Sequence, residues 1–257
     1  SLIIAIVAIV ILVAVVGYGL VNSLSKESFK ANTILLKLNM ITEGELTTDV
    51  KITNQQNTEQ IFNIYFSGLE GIASINNTQS QFNLDAGDWK NVKIYFKDSK
   101  NEVNVYVGYL VIETYEMTKK IPVVLTVEDV NPFFAVIQKP LANYADVIPG
   151  GKVGMEIKLF DLKSEDSQNI DVNYAVKNFE DEVLVSEDES LVVEKSVSIS
   201  KIVDTPDSMN EGDYVFITSV NHNGKSIASY FFEVSKEKKG DGFSLGNMEY
   251  FGLLILV

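Results

Sequence analysis

Val92-Lys93-Ile94-Tyr95-Phe96-Lys97 alternates with a period of two: Val92, Ile94 and Phe96 share one face, and Lys93, Tyr95 and Lys97 the other. Successive side chains of a strand point to opposite faces, so this stretch predicts a strand buried on one side and wetted on the other. Moving toward the N-terminus, Phe62, Ile64 and Phe66 share a face, and Val50 and Ile52 alternate with Asp49, Lys51 and Thr53. Moving toward the C-terminus, Val103, Val105, Val107 and Tyr109 continue the pattern, and Ile121, Val123, Leu125 and Val127 close it. With Ile34 to Met40 these six runs come close to the about seven strands expected of an antiparallel two-sheet sandwich. Turn signals sit at Asp85-Ala86-Gly87-Asp88 and from Asp98 to Glu102.

A second unit follows a short joint at Asn131-Pro132. After Pro149-Gly150-Gly151, Val153, Met155, Ile157 and Leu159 alternate with Glu156 and Lys158; Ile170, Val172, Tyr174 and Val176 follow, then a run from Leu191 to Ile199. A hairpin of Tyr214 to Val220 with Lys225 to Val234, preceded by Glu211-Gly212-Asp213 and turned at Asn221-His222-Asn223-Gly224, ends the unit. So short a joint predicts two sandwiches held as a semi-rigid rod.

Residues 1–25 carry no charge, and Leu2 to Val16 is an unbroken run of Leu, Ile, Val and Ala. At about 1.5 Å per residue, some 22 residues span roughly 33 Å, the thickness of a bilayer core. A run apolar on every side predicts a helix in a membrane or in a bundle of like helices, with Leu2, Ile3, Ile6, Ile9, Val13, Val16 and Leu20 as the assembling or lipid-facing positions. The chain is thus expected to be mainly β: an N-terminal hydrophobic α-helix (1–30), two tandem Ig-like antiparallel β-sandwiches (31–130 and 131–236), and a polar tether with an apolar tail (237–257). The tail, Tyr250 to Val257, is too short to cross a bilayer. It is expected either to dock on a neighbour's apolar helix or to continue into a second transmembrane helix.

The first segment begins without Met and without a basic flank, the pattern left by processing just before an apolar helix. It resembles archaeal type IV pilins and archaellins, a resemblance of composition over residues 1 to 25; where bacterial members of that family carry a glutamate, this chain has Ala5. Three stretches between Gly44 and Asp129, namely Val50-Lys51-Ile52-Thr53-Asn54, Leu84-Asp85-Ala86-Gly87-Asp88 and Gly108-Tyr109-Leu110-Val111-Ile112 leading into Ile121-Pro122-Val123, resemble the Ig-like repeats of prokaryotic surface proteins, in the branch near major sperm protein and NEW3-type domains. That second resemblance implies a sandwich used for spacing, assembly or adhesion, and no catalysis.

The charge narrows the function further. Thirty-five acidic residues against 21 lysines, with no arginine, give a net charge of −14. An acidic chain without Arg offers neither phosphate neutralisation nor guanine-reading forks, so nucleic acid is not an expected partner. There is no Cys, and one His, His222, in a predicted turn where an exposed residue is expected. The carboxylate runs Glu180-Asp181-Glu182 and Glu187-Asp188-Glu189 are expected to be solvated loops between strands. Calcium is the one ion the composition suggests, at Asp161, Glu165, Asp166 and Asp171 or at Asp204, Asp207 and Asp213, although neither set has EF-hand spacing. Asn76-Asn77-Thr78 is a glycosylation sequon on Asn76, and Trp89 reads as a half-buried packing residue rather than a sugar platform. No enzyme activity and no cofactor are expected. The expectation is a self-assembling subunit of an extracellular, pilus-like filament that resides in a membrane before assembly. The other reading is a membrane-anchored surface protein with a glycan or protein partner.

Overall fold

The computed structural model describes residues 27–164 and 166–236. The expected N-terminal helix, with its positions Leu2, Ile3, Ile6, Ile9, Val13, Val16 and Leu20, falls outside the described residues, as does the tail beyond 236. The stretch up to residue 30 already includes the start of the first strand, β1 (Phe29–Ala31).

The chain is mainly β. The first sandwich holds β1, β2 (Leu36–Ile41), β3 (Glu45–Asn54), β4 (Gln60–Ser67), β5 (Ala73–Ile75), a single helical turn α1 (Asn77–Ser80), β6 (Gln81–Leu84), β7 (Trp89–Lys97), β8 (Asn104–Glu113) and β9 (Thr118–Glu128). The second holds β10 (Phe134–Pro140), β11 (Lys152–Asp161), β12 (Gln168–Asn178), β13 (Val183–Val193), β14 (Ser196–Asp204), β15 (Gly212–Asn221) and β16 (Lys225–Val234). Sheet order is β1-β3-β7-β5 and β2-β9-β8-β4-β6 in the first, and β10-β11-β14 and β13-β12-β15-β16 in the second. The strand pairs are antiparallel with one exception: β2 runs parallel to β9, Leu36 beside Val123 through Ile41 beside Glu128.

Turn chemistry explains several boundaries. Gly87 and Gly150 supply positive φ at the predicted turns (77° and 66°), and Asn223 and Gly224 do so in the final hairpin (48° and 127°). In β8, Gly108 allows a close crossing: a side chain there would collide with the Ser67 carbonyl and lie 2.8 Å from Leu69 Cγ.

The rod is not what forms. The two sandwiches pack side by side, the five-stranded sheet of the first against the four-stranded sheet of the second, giving four stacked layers. Side-chain parity shows it. In β9, Ile121, Val123, Leu125 and Val127 fill the first core, whereas Val124 points into a separate cluster with Val105 and Val107 of β8. In β15, Tyr214 and Phe216 fill the second core, whereas Val215 and Ile217 join that separate cluster with Ala175, Phe179 and Ile227. Both middle sheets are therefore buried on two faces. Apolar area removed from water on both sides contributes about 25 cal/mol per Å², and a five-residue connection (Asp129 to Phe133) is long enough for the chain to fold back against itself.

Two further expectations change. Leu191 to Ile199 is not one strand: the chain leaves the four-stranded sheet after Val193 and enters the three-stranded sheet at Ser196. Glu187, Asp188 and Glu189 lie inside strand β13 rather than in a loop.

Candidate functional site

The seam between the sandwiches is the most elaborately built feature of the described residues. Its centre is the valine, isoleucine and phenylalanine cluster above, and its margin is polar and paired. Lys37 of β2 donates to the Ser229 carbonyl of β16 at 3.0 Å, and burial pushes its pKa below the ordinary lysine value. The hydroxyls of Thr126 and Ser229 meet at 2.8 Å. From the other side, Lys177 of β12, only 7% exposed, donates to the Val105 carbonyl at 3.3 Å and pairs with Asp181.

At one flank the Tyr109 ring tilts against Phe179 with centroids 5.0 Å apart, and Phe179 meets Phe231 edge-on at 6.0 Å. The Tyr109 hydroxyl faces the Asp213 carboxylate. Burial raises the Asp213 pKa, the Tyr109 hydroxyl opposes that rise, and Glu233 and Glu180 add to it. Tyr109 is raised as well, first by burial and then by the Asp213 charge. These groups hold two sheets together; none is arranged as a nucleophile beside a base.

The residues singled out from sequence are scattered. His222 sits in the predicted turn, but it is half-buried: its ring meets Phe133 and Phe134 edge-on at 5.7 and 5.8 Å, and Nδ1 lies 3.2 Å from the Asn169 carbonyl. Glu182 accepts from Asn178 Nδ2 at 3.0 Å, Glu180 is exposed in the turn after β12, and Asp181 pairs with Lys177. Glu187 and Glu189 face Lys201, at 2.9 and 3.7 Å, while Asp188 accepts from Asn173 on the outer side. Lys201 also lies 4.6 Å over the ring of Tyr174, whose pKa burial and then Glu189 raise.

The described carboxylates among those suggested for calcium are not gathered into one site. Desolvation works to raise the Asp161 pKa, but the amides of Ser164 and Lys163 outweigh it and the net shift is downward. Asp171 accepts from Ser190 at 2.8 Å, Asp166 lies in the turn between β11 and β12, and Glu165 lies outside the described residues. Asp204 pairs with Lys152 at 2.7 Å, Asp207 lies beside Gly150, and Asp213 is in the seam. Among the described residues no group of three or more His, Asp or Glu is placed to hold a metal ion. Nor is any described helix long and apolar enough to cross a membrane.

Asn76 is exposed at the N-cap of α1, where its Oδ1 accepts from the amide and the hydroxyl of Thr78, each at 3.1 Å. Trp89 is 56% exposed on the outer sheet, with the Lys51 ammonium 4.1 Å above its ring. It is a surface side chain rather than a half-buried one.

No protein-family model matches the chain, and no curated protein matches it. Among solved structures, PapD-like domain 7 of human CEP192 is similar over 42% of this chain and 92% of its own, at 9% identity and TM-score 0.35. The YadV chaperone is similar over 80% and 100%, at 8% identity and TM-score 0.32. The secreted serine protease VesC from Vibrio cholerae is similar over 78% and 49%, at 12% identity and TM-score 0.32. Likeness at that level assigns no activity.

Proposed function

We propose that this chain is a structural component of a cell surface. The apolar segment Leu2 to Val21 first holds it in a membrane, and copies of that segment then bundle as the core of an extracellular filament of the archaeal pilus-like kind. The supporting observation is the closed seam, which joins both sandwiches into one four-layer body suited to serve as a stiff outer unit around such a core. Moving the apolar side chains into a bundle of like helices gains close packing, and outside the membrane it gains the hydrophobic term as well. Ile9→Lys places a charge in that bundle. Electron microscopy of the full chain is expected to show filaments for the parent and none for Ile9→Lys, with the β body still folded by circular dichroism; filaments of Ile9→Lys would refute the bundle.

A second reading is a permanently anchored surface protein that presents its sandwiches to a glycan or protein partner. It is favoured by the direction of β16, which carries the chain toward the same end of the body at which β1 begins. Purified full-length material that shows no helical order at any concentration, yet stays with lipid, decides for that reading.

A further inference from the structure

Four pieces of chain meet at one end of the first sandwich. Glu27 pairs there with Lys119 at 3.4 Å, and the Ser28 carbonyl accepts from the Gln55 amide at 3.0 Å. The turn after β3 is tied to the β8–β9 turn by Gln56 Nε2 on Glu116 at 3.0 Å. Asn54, 1% exposed, donates from Nδ2 to the carbonyls of Thr58, Leu84 and Asp85, which clamps the Asp85 to Asp88 turn to the same end. Trp89 follows that turn, opposite Thr53, which in turn lies opposite Lys30 of β1.

This end presents the two most exposed aromatic side chains among the described residues, Tyr115 at 103% and Trp89 at 56%. Tyr115 is not at a loose tip. The Thr114 amide donates to the Met117 carbonyl at 2.8 Å and the Met117 amide to Thr114 Oγ1 at 3.1 Å, so the turn holds the phenol outward. β16 heads the same way. Ser229 lies against Thr126, whereas Asp213, the neighbour of Glu233, meets Tyr109, which pairs with Pro122. From Ser229 onward, β16 therefore runs alongside β9 from Thr126 back toward Lys119.

Only Asn22 to Lys26 separate the apolar run from Glu27, a tether of at most about 18 Å when fully extended. Tyr and Trp, with apolar bodies and one polar handle, are the residues that settle at the headgroup level of a bilayer. Resting on the membrane-held state proposed above, we infer that this end of the body faces the bilayer and seats Tyr115 and Trp89 among the lipid headgroups. Lys119 is paired there with Glu27, the Lys120 ammonium lies 5.4 Å from the centre of the Tyr109 ring, and Glu113 and Glu116 flank the same turn, so the end carries no excess of cations and zwitterionic lipid suffices.

Trp89 is the chain's one tryptophan, so its emission reports the contact directly. The full chain is reconstituted into phosphatidylcholine vesicles with and without a nitroxide at the headgroup. The expected result is flotation with the vesicles and loss of Trp89 emission with the labelled lipid. In a Trp89→Phe background, Lys100→Trp, at the opposite end, is expected to float and stay bright. Tyr115→Asp, which removes a side chain in contact with solvent only, is expected to leave the unfolding midpoint unchanged and to restore most of the Trp89 emission. A chain that floats with Trp89 unquenched, or with Lys100→Trp quenched equally, overturns the orientation while the anchoring stands. A chain that does not float overturns the anchoring and this inference with it.

Discussion

Lys177 of the second sandwich reaches the main-chain carbonyl of Val105 in the first at 3.3 Å, through a side chain that is almost wholly buried and paired at its tip with Asp181. A buried ammonium is tolerated when its donors are satisfied, and replacing it by an apolar side chain of similar length costs little, whereas a lone opposite charge costs much. Lys177→Met should therefore lower stability by no more than about 1.5 kcal/mol. Lys177→Glu, which sets a carboxylate against Asp181 and a carbonyl, should cost about 3–5 kcal/mol. Urea denaturation of both variants measures the difference, and equal losses would mean that the seam is open at this point.

The seam should also make the two sandwiches unfold together. Val107, Val124, Val215 and Ile217 are all buried in it, so unfolding one sandwich exposes an apolar face of the other. Calorimetry of the parent chain is expected to show one transition. Val107→Asp, a charge buried without a partner, should separate it into two, with the second sandwich keeping its own midpoint because its core residues Met155, Tyr174 and Phe216 are untouched. Two transitions in the parent would show that the seam does not couple the units.

Strands with one wet face were legible in the sequence because alternation survives there: Val92, Ile94 and Phe96 are buried and Lys93, Tyr95 and Lys97 are exposed, as the period of two requires. The seam has a sequence signal of its own, distinct from alternation. Val105 to Val107, Leu110 to Ile112, Ile121 to Val127 and Tyr214 to Ile217 are nearly continuous apolar runs, the mark of strands buried on both faces. A period of two, counted along one face, does not carry that information. Strand β13 was hidden for the opposite reason, because Glu187-Asp188-Glu189 breaks its apolar pattern at an edge where charge is tolerated. The switch of sheets at Glu194-Lys195 carries no Gly, Pro or Asn to announce it. The parallel seat of β2 is a matter of topology, which local periodicity does not encode. The exposure of Trp89 is hidden for a local reason: its neighbours do not tell which face of β7 is wetted at its first residue.

The charges facing inward along the rim of the second sandwich guard its open side. β13 and β14 are edge strands of opposite sheets, and Lys201 on one bridges to Glu187 and Glu189 on the other. Inward-pointing charges on edge strands block pairing with another chain, at some cost to the core they interrupt. Lys201→Val should leave the fold intact and extend the apolar rim formed by Val197, Ile199 and Leu191. Self-association is its expected consequence, seen as a concentration-dependent rise in light scattering that the parent does not show. A monomeric Lys201→Val at millimolar concentration would remove this role from Lys201.

Asp213 gives the seam a dependence on pH whose sign can be worked out. Burial raises its folded-state pKa above the unfolded value of about 3.9, so the ionised carboxylate is the less favoured form in the folded chain. Folding is therefore penalised above the folded-state pKa, and the penalty fades as pH falls through that value and vanishes below the unfolded one. Asp213→Asn keeps an oxygen to accept from the Tyr109 hydroxyl and carries no charge. It should be more stable than the parent at neutral pH, and the two should converge as pH drops toward about 4. Urea midpoints across that range measure it. An Asn variant less stable at neutral pH would show that the carboxylate charge, and not merely its oxygen, is what Tyr109 requires.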